Sequence, residues 1–151
     1  MNIRFISAAI AASALVCAGA MQQSLAADQP AAGQSAPKRN HVIFSVTDND
    51  KGKWNLVYNN ATAVQRNVGP MDIDVEVVVW GPGINMLKME SVVGNRIDEM
   101  VAKGIKVVAC ETTMNEMKIT AQDMLPSIGY VPGGVIELMQ KQQQGWAYVR
   151  P

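Results

Sequence analysis

The chain has 151 residues, with 13 basic and 13 acidic side chains, one histidine and two cysteines. Balanced charge gives no electrostatic basis for binding nucleic acid or an anionic membrane surface. The length suits one domain with one substantial core.

Met1–Arg4 is a short basic start, and Phe5–Ala20 is apolar and small. Ser24-Leu25-Ala26 offers small residues where a signal peptidase reads. This predicts a secretory signal peptide over residues 1–26, too short and too rich in small residues for a stable span. A periplasmic or secreted protein follows, with no membrane attachment after cleavage. A second candidate cut follows Ala18-Gly19-Ala20. Cys17 lies inside the segment, and Ala14-Leu15-Val16 before it makes a poor lipoprotein site, where a small residue should precede the cysteine. Cleavage after Ala26 leaves Cys110 as the one cysteine and His41 as the one histidine. Residues 27–39 open with "ADQPAAGQSAPK", without periodicity, and read as a flexible leader before a domain at 40–151.

"HVIFSV", 41–46, is a continuous apolar and β-branched run, which suits a strand buried on both faces. Asp48, Asn49 and Asp50 are helix-capping candidates. Trp54, Val57, Tyr58, Ala61, Val64 and Val68 then recur at helical spacing, and Gly69-Pro70 ends that helix. "IDVEVVVW", 73–80, is the second strand. "GPGINMLK" follows as a loop. Its Ile84, Met86 and Leu87, with Met89 beyond, show no period that would bury them all, so they are expected to cover a partner. Val93, Ile97, Met100 and Val101 mark the inner face of a second helix, with Gly104 at its C-terminal end. "IKVVAC", 105–110, is the third strand.

Thr113-x-x-Glu116 and Thr120-x-x-Asp123 both fit a capping box, predicting one short helix and another that ends at Pro126. "IGYV", 128–131, is the fourth strand. Pro132-Gly133-Gly134 opens a helix with Val135, Leu138, Met139 and Gln142 along one side, and Gly145 stops it. "WAYV", 146–149, is the last strand. The alternation predicts an α/β, three-layer domain with a five-stranded, mainly parallel sheet of flavodoxin-like or Rossmann-like type.

In open parallel sheets, ligands sit beyond the carboxyl ends of the strands. Four loops meet there: Thr47-Asp48-Asn49, Gly81 to Asn85 with Gly83, Cys110-Glu111-Thr112-Thr113, and Tyr130 to Gly134 with Gly133. These are the candidate ligand-binding residues, and Cys110 is the candidate catalytic one. A helix start just after Cys110 favours a thiolate. Adjacent Glu111 acts in the opposite direction. Cys110 is expected to be partly accessible from this edge. A small buried packing residue is the competing reading. His41 falls at the far end of the first strand, which argues against a Cys–His pair.

One cysteine and one histidine cannot supply the usual zinc ligand count. Gly81-Pro82-Gly83 lacks the third glycine of a dinucleotide fingerprint, and Gly52-Lys53 is followed by Trp54 rather than Ser or Thr. The first loop has no Ser/Thr-rich cradle for a flavin phosphate. No cofactor and no metal are expected. Met86, Met89, Met114 and Met117 could bind copper(I) as thioethers, although filling core gaps is commoner. Trp54, Trp80 and Trp146 are read as core or subunit-interface residues. Gly81, Gly83, Gly133 and Gly134 are read as tight turns needing positive φ. They also leave room for an anionic ligand on backbone amides.

The combination of "HVIFSV", "WNLVYNNATAVQ", "VVVWGPGINMLK", "GIKVVACETTM", "DMLPSIGYVPGGVIELM" and "QQQGWAYVRP" resembles the DsrE/DsrF-like family over residues 40–151. The resemblance implies a five-stranded parallel sheet and a homo-oligomer, a trimer or hexamer. In sulfur-relay members a cysteine after the third strand carries sulfur as a persulfide, and Cys110 matches that position. The chain departs from them in its predicted export and in Glu111-Thr112-Thr113. Three functions follow as expectations. One is a periplasmic persulfide carrier, sulfurtransferase-like at most, that exchanges sulfur with a donor or acceptor protein. Another is a non-catalytic oligomeric module that binds a small ligand. The third is a thiol redox sensor.

Overall fold

The computed structural model describes residues 39–151. The expected signal segment, and all but Arg39 of the expected leader, lie outside them.

Five strands form one sheet: β1 (Asn40–Val46), β2 (Ile73–Val79), β3 (Lys106–Cys110), β4 (Gly129–Val131) and β5 (Ala147–Val149). Their order is β4-β3-β2-β1-β5, and every pairing is parallel. The central strands are the continuous apolar runs, because both of their faces are covered. The helices are α1 (Lys51–Val68), α2 (Gly94–Ala102), α3 (Glu111–Glu116) and α4 (Gly134–Gln143). This is the predicted α/β architecture.

The topology explains which face each helix covers. The chain steps from β1 to β4 in one direction, then returns to place β5 beside β1. Parallel crossovers are right-handed, so reversing direction moves the connecting helix to the opposite face. The larger core therefore lies on one side. There Val42, Phe44, Val46, Val77 and Val79 of the sheet share one cluster with Trp54, Val57 and Ala61 of α1 and Ile97 and Met100 of α2. The other side is smaller, built from Ile43, Val78, Val108, Val131 and Leu138 of α4.

Local sequence sets the boundaries. The Asp50 carboxylate accepts from the Lys53 amide at 2.8 Å and caps α1. Gly69, at φ 107°, ends it. Val68, expected inside, is exposed. Gln65 takes the inner position instead, donating its Nε2 to the Lys103 carbonyl at 2.8 Å.

The segment after β2 departs from the expectation. Gly81–Leu87 is a 3-10 helix that buries Ile84, Met86 and Leu87 completely within their own chain. Its period of about three residues is neither that of an α-helix nor that of a strand. Gly83 allows the close packing, because a Cβ there would lie 2.8 Å from the Val46 carbonyl oxygen. Only Met89 of the four is exposed, so this stretch offers little surface to a partner.

Two helix starts also differ. α3 begins directly after β3, and its N-cap is Cys110 rather than Thr113. The Thr120–Asp123 box forms, with the Thr120 amide donating to Asp123 at 2.8 Å, but it opens only the short 3-10 turn Ala121–Asp123. On α4, Leu138 is buried while Val135, Met139 and Gln142 are exposed. The side expected to face inward is mostly uncovered.

Beneath α4, the Glu76 side chain is fully buried in the sheet. Lys141 reaches it from α4 at 3.0 Å and Lys106 from β3 at 3.3 Å. Among the described residues no helix is long and apolar enough to cross a membrane.

Candidate functional site

Cys110 is the last residue of β3 and pairs with Val131 of β4. Its sulfur accepts from the Thr113 amide at 3.4 Å and from the Gly134 amide at 3.2 Å. Thr113 lies in the first turn of α3, and Gly134 is the first residue of α4. Two helix starts thus direct their free amides at one sulfur. Such amides lack partners within their own helices and carry the positive end of the helix dipole.

The surrounding bonds hold this geometry. Thr112 donates both its amide, at 3.2 Å, and its hydroxyl, at 2.7 Å, to the Pro132 carbonyl. That joins the start of α3 to the loop entering α4. The buried Thr113 hydroxyl oxygen accepts from the Gly81 amide at 3.0 Å.

Burial, the largest single influence, pushes the Cys110 thiol pKa up. The Thr113 hydroxyl and the amides of Thr113, Gly134 and Thr112 together outweigh it and hold the pKa below the ordinary 9.0. The net direction is opposite to that expected from Glu111, whose side chain is exposed to water.

Cys110 is only 4% exposed, so it is not the partly accessible residue that its strand-end position suggested. The bonds from Gly134 and Thr113 turn the sulfur inward. A cavity of about 270 Å³ nevertheless reaches it. Of the candidate residues, Thr112, Thr113, Gly133 and Gly134 line this cavity with Cys110. Trp80, Glu116, Val135 and Ile136 complete it. None of these four stood among the candidate site residues. Trp80 was the most findable, since it directly follows β2, the strand beside β3.

The other candidates lie elsewhere. Gly81 reaches the site through Thr113. Gly83 packs against Val46 and Thr47 at the end of β1, so it does not neighbour the thiol as expected. Asn85 donates to the Pro82 carbonyl at 3.3 Å within its own turn. Asp48 takes Lys53 at 3.0 Å and Arg150 at 3.5 Å, and Thr47 accepts from Arg150 at 2.8 Å. Asn49 beside them is exposed. Glu111 and Tyr130 line a separate groove with Ile119. Tyr130 points there because successive strand residues alternate faces, and Val131 takes the Cys110 side.

The glycines divide by cause. Gly81 has the left-handed φ of 55°. Gly83, Gly133 and Gly134 do not, and Gly133 is extended at φ −150°. At Gly134 the reason is contact: a Cβ would lie 2.9 Å from Trp80. His41 lies at the far end of β1, 3.1 Å from Asp74 and stacked on Trp146. Of the four methionines considered for copper, Met86 and Met114 are in the core while Met89 and Met117 are exposed.

Solved structures share this fold. A protein of unknown function from Methanobacterium thermoautotrophicum, MTH1491, is 26% identical with a TM-score of 0.71, covering 74% of this chain and 99% of that one. A conserved protein of unknown function from Bacteroides thetaiotaomicron, BT1422, is 16% identical with a TM-score of 0.64, covering 78% and 99%. The ychN protein from E. coli is 12% identical with a TM-score of 0.60, covering 75% and 99%. No curated protein matches the chain at a significant level. The sequence profile of the DsrE/DsrF-like family matches residues 40–151, and the chain belongs to that family.

Proposed function

We propose that the protein is a sulfur carrier in which Cys110 accepts sulfane sulfur as a persulfide and passes it to a partner thiol. The observation that carries this reading is the pair of helix-start amides on Sγ, 3.2 and 3.4 Å away, at the wall of a cavity. Those amides favour the thiolate, which is the attacking species. They can equally hold a terminal persulfide anion while it waits for an acceptor. The family's link to sulfur relay supports the same chemistry. No cofactor is needed, because the sulfur moves between thiols without net oxidation.

The reading includes two further elements. The N-terminal pattern at 1–26 supports export, with the carrier working in the periplasm or outside the cell. The uncovered side of α4 supports a homo-oligomer. Val135, Ile136 and Met139 of α4 and Tyr148 of β5 are all at least 43% exposed. Apolar side chains grouped in this way mark an association surface.

A second reading rests on the 4% exposure of Cys110. In it the thiol is a packing residue that caps α3 and does no chemistry. Intact-mass analysis after exposure to polysulfide separates the two. The carrier gains one sulfur atom, and Cys110→Ser gains none. A wild-type protein that stays unmodified is the packing outcome.

A further inference from the structure

We propose that α4 is a cover for Cys110: it lifts from the sheet as a unit, about glycine joints at its two ends, and bares the thiol without unfolding the larger core. The movement rests on packing, and its use rests on the carrier reading. A sulfur only 4% exposed needs such a movement to meet the thiol of a partner protein.

The start of α4 closes Cys110 in. The Gly134 amide meets its sulfur at 3.2 Å, and Val135 and Ile136 wall the cavity of about 270 Å³ beside it. Small-ligand sites begin at about 300 Å³, so a thiol carried on a protein does not reach Sγ through this opening. Little else holds the helix down. Of its 10 residues only Gly134 and Leu138 are buried. By contrast, α1 buries Trp54, Val57, Ala61 and Gln65. The core beneath α4 is the smaller one, with Ile43, Val78, Val108 and Val131 from the sheet. Among the described residues the Val135 and Ile136 amides have no partner, which is usual in a first turn. Segments with few buried apolar contacts open at lower free energy than the whole molecule.

The joints are at the helix ends. Gly133 and Gly134 lead in, and Gly145, at φ 86°, follows. Residues at element ends, often small ones, absorb hinge motion. The polar fastener is Lys141, which meets the buried Glu76 carboxylate at 3.0 Å. The second carboxylate oxygen, Oε1, has no hydrogen-bond partner. Lifting α4 takes Lys141 from Glu76 but lets water reach the carboxylate, so the two effects oppose each other. Such a pair fixes where the helix sits while adding little to the free energy of holding it there. Without Lys141 the carboxylate is stranded only while the helix is down, and opening is favoured.

The test measures how fast the bulky aromatic disulfide dithionitrobenzoate labels Cys110 in the full chain, read by mass spectrometry of the Cys110 peptide. Association on the outer side of α4 would hold the cover closed, so every variant is compared at one protein concentration. The cover predicts labelling of the folded wild type about tenfold or more faster than global unfolding allows, with a urea dependence well below the global slope. Lys141→Met should raise the rate about tenfold or more, and adding Glu76→Leu should return it to within about threefold of wild type. Ile97→Val, on α2 in the larger core, should lower the urea midpoint yet leave the rate within about twofold. Labelling that follows global stability in all three variants overturns the cover. So does fast labelling that neither urea nor Lys141→Met changes, since the thiol would then be open already. Either failure leaves the carrier reading standing, because polysulfide loading is decided by a separate mass gain on Cys110.

Discussion

The amide of Gly134 meets the sulfur of Cys110 at 3.2 Å, although 24 residues separate them in the chain. The parallel pairing of β3 with β4 makes this possible, since Cys110 and Val131 are register partners. Three residues past Val131, α4 begins. A strand end and two helix starts therefore converge on one atom. The thiol's lowered pKa follows from that convergence despite burial.

The first prediction concerns pH. The folded Cys110 pKa lies below the ordinary 9.0, so the folded state favours the thiolate. The stabilisation this gives is full above pH 9.0, and is lost as pH falls through the folded pKa. The stability difference between wild type and Cys110→Ser should therefore grow with rising pH and level off above 9.0. Paired urea titrations across that range measure it. A difference that shrinks as pH rises would contradict the assignment of the amides as thiolate donors.

Gly134 and Gly133 should respond differently to alanine. A Cβ at Gly134 meets the Trp80 side chain at 2.9 to 3.1 Å, whereas one at Gly133 meets only the end of Ile136 at 3.1 to 3.4 Å. Gly133 is also extended, a conformation open to any residue. Gly134→Ala should cost about 1–3 kcal/mol by overpacking and raise the thiol pKa by displacing its donor. Gly133→Ala should stay within about 1 kcal/mol of wild type. Thermal unfolding together with pH-dependent alkylation checks both.

Lys141 offsets the buried charge of Glu76 from 3.0 Å, and the other cation, Lys106, has a side chain 54% exposed. Lys141 also lies over the Trp146 ring at 4.3 Å. Lys141→Met should destabilise by about 3 kcal/mol, because it strands most of a buried charge. The double variant Lys141→Met with Glu76→Leu should recover much of that loss. Denaturant unfolding of the three proteins tests the coupling, and equal stability of single and double variants would refute it.

Light scattering at micromolar concentration should show a homo-oligomer. The residues responsible are on α4 and β5, with Met139 50% and Val135 58% exposed. Met139→Asp should shift the mass toward the monomer while circular dichroism stays unchanged. A wild-type monomer, or a Met139→Asp oligomer of unchanged size, would count against this face.

The strands were legible because each is an apolar run long enough to cross a doubly covered sheet, as in Ile73–Val79. The position of Cys110 at a strand-to-helix handover was legible for the same reason. The 3-10 helix Gly81–Leu87 was not, since its burial comes from the close seat of Gly83 on β1 rather than from a periodic pattern. Nor was Cys110's role as an N-cap, because a thiol is not among the usual capping groups and Thr113 offered a more familiar box. The remaining cavity wall comes from Val135 and Ile136. Helical periodicity gave Val135 to the core, whereas only Leu138 and Gly134 of α4 are buried.

The central claim is that the sulfur of Cys110 is a transit point. The most direct measurement loads the protein with isotopically labelled sulfane sulfur, removes the donor, and then adds a thiol acceptor. Mass spectrometry follows the label through time. The carrier account predicts one labelled sulfur on Cys110, none on Cys110→Ser, and movement of that sulfur to the acceptor as the protein's own mass returns to its starting value. Label that never joins the folded wild type, or joins it and never leaves, would contradict the account.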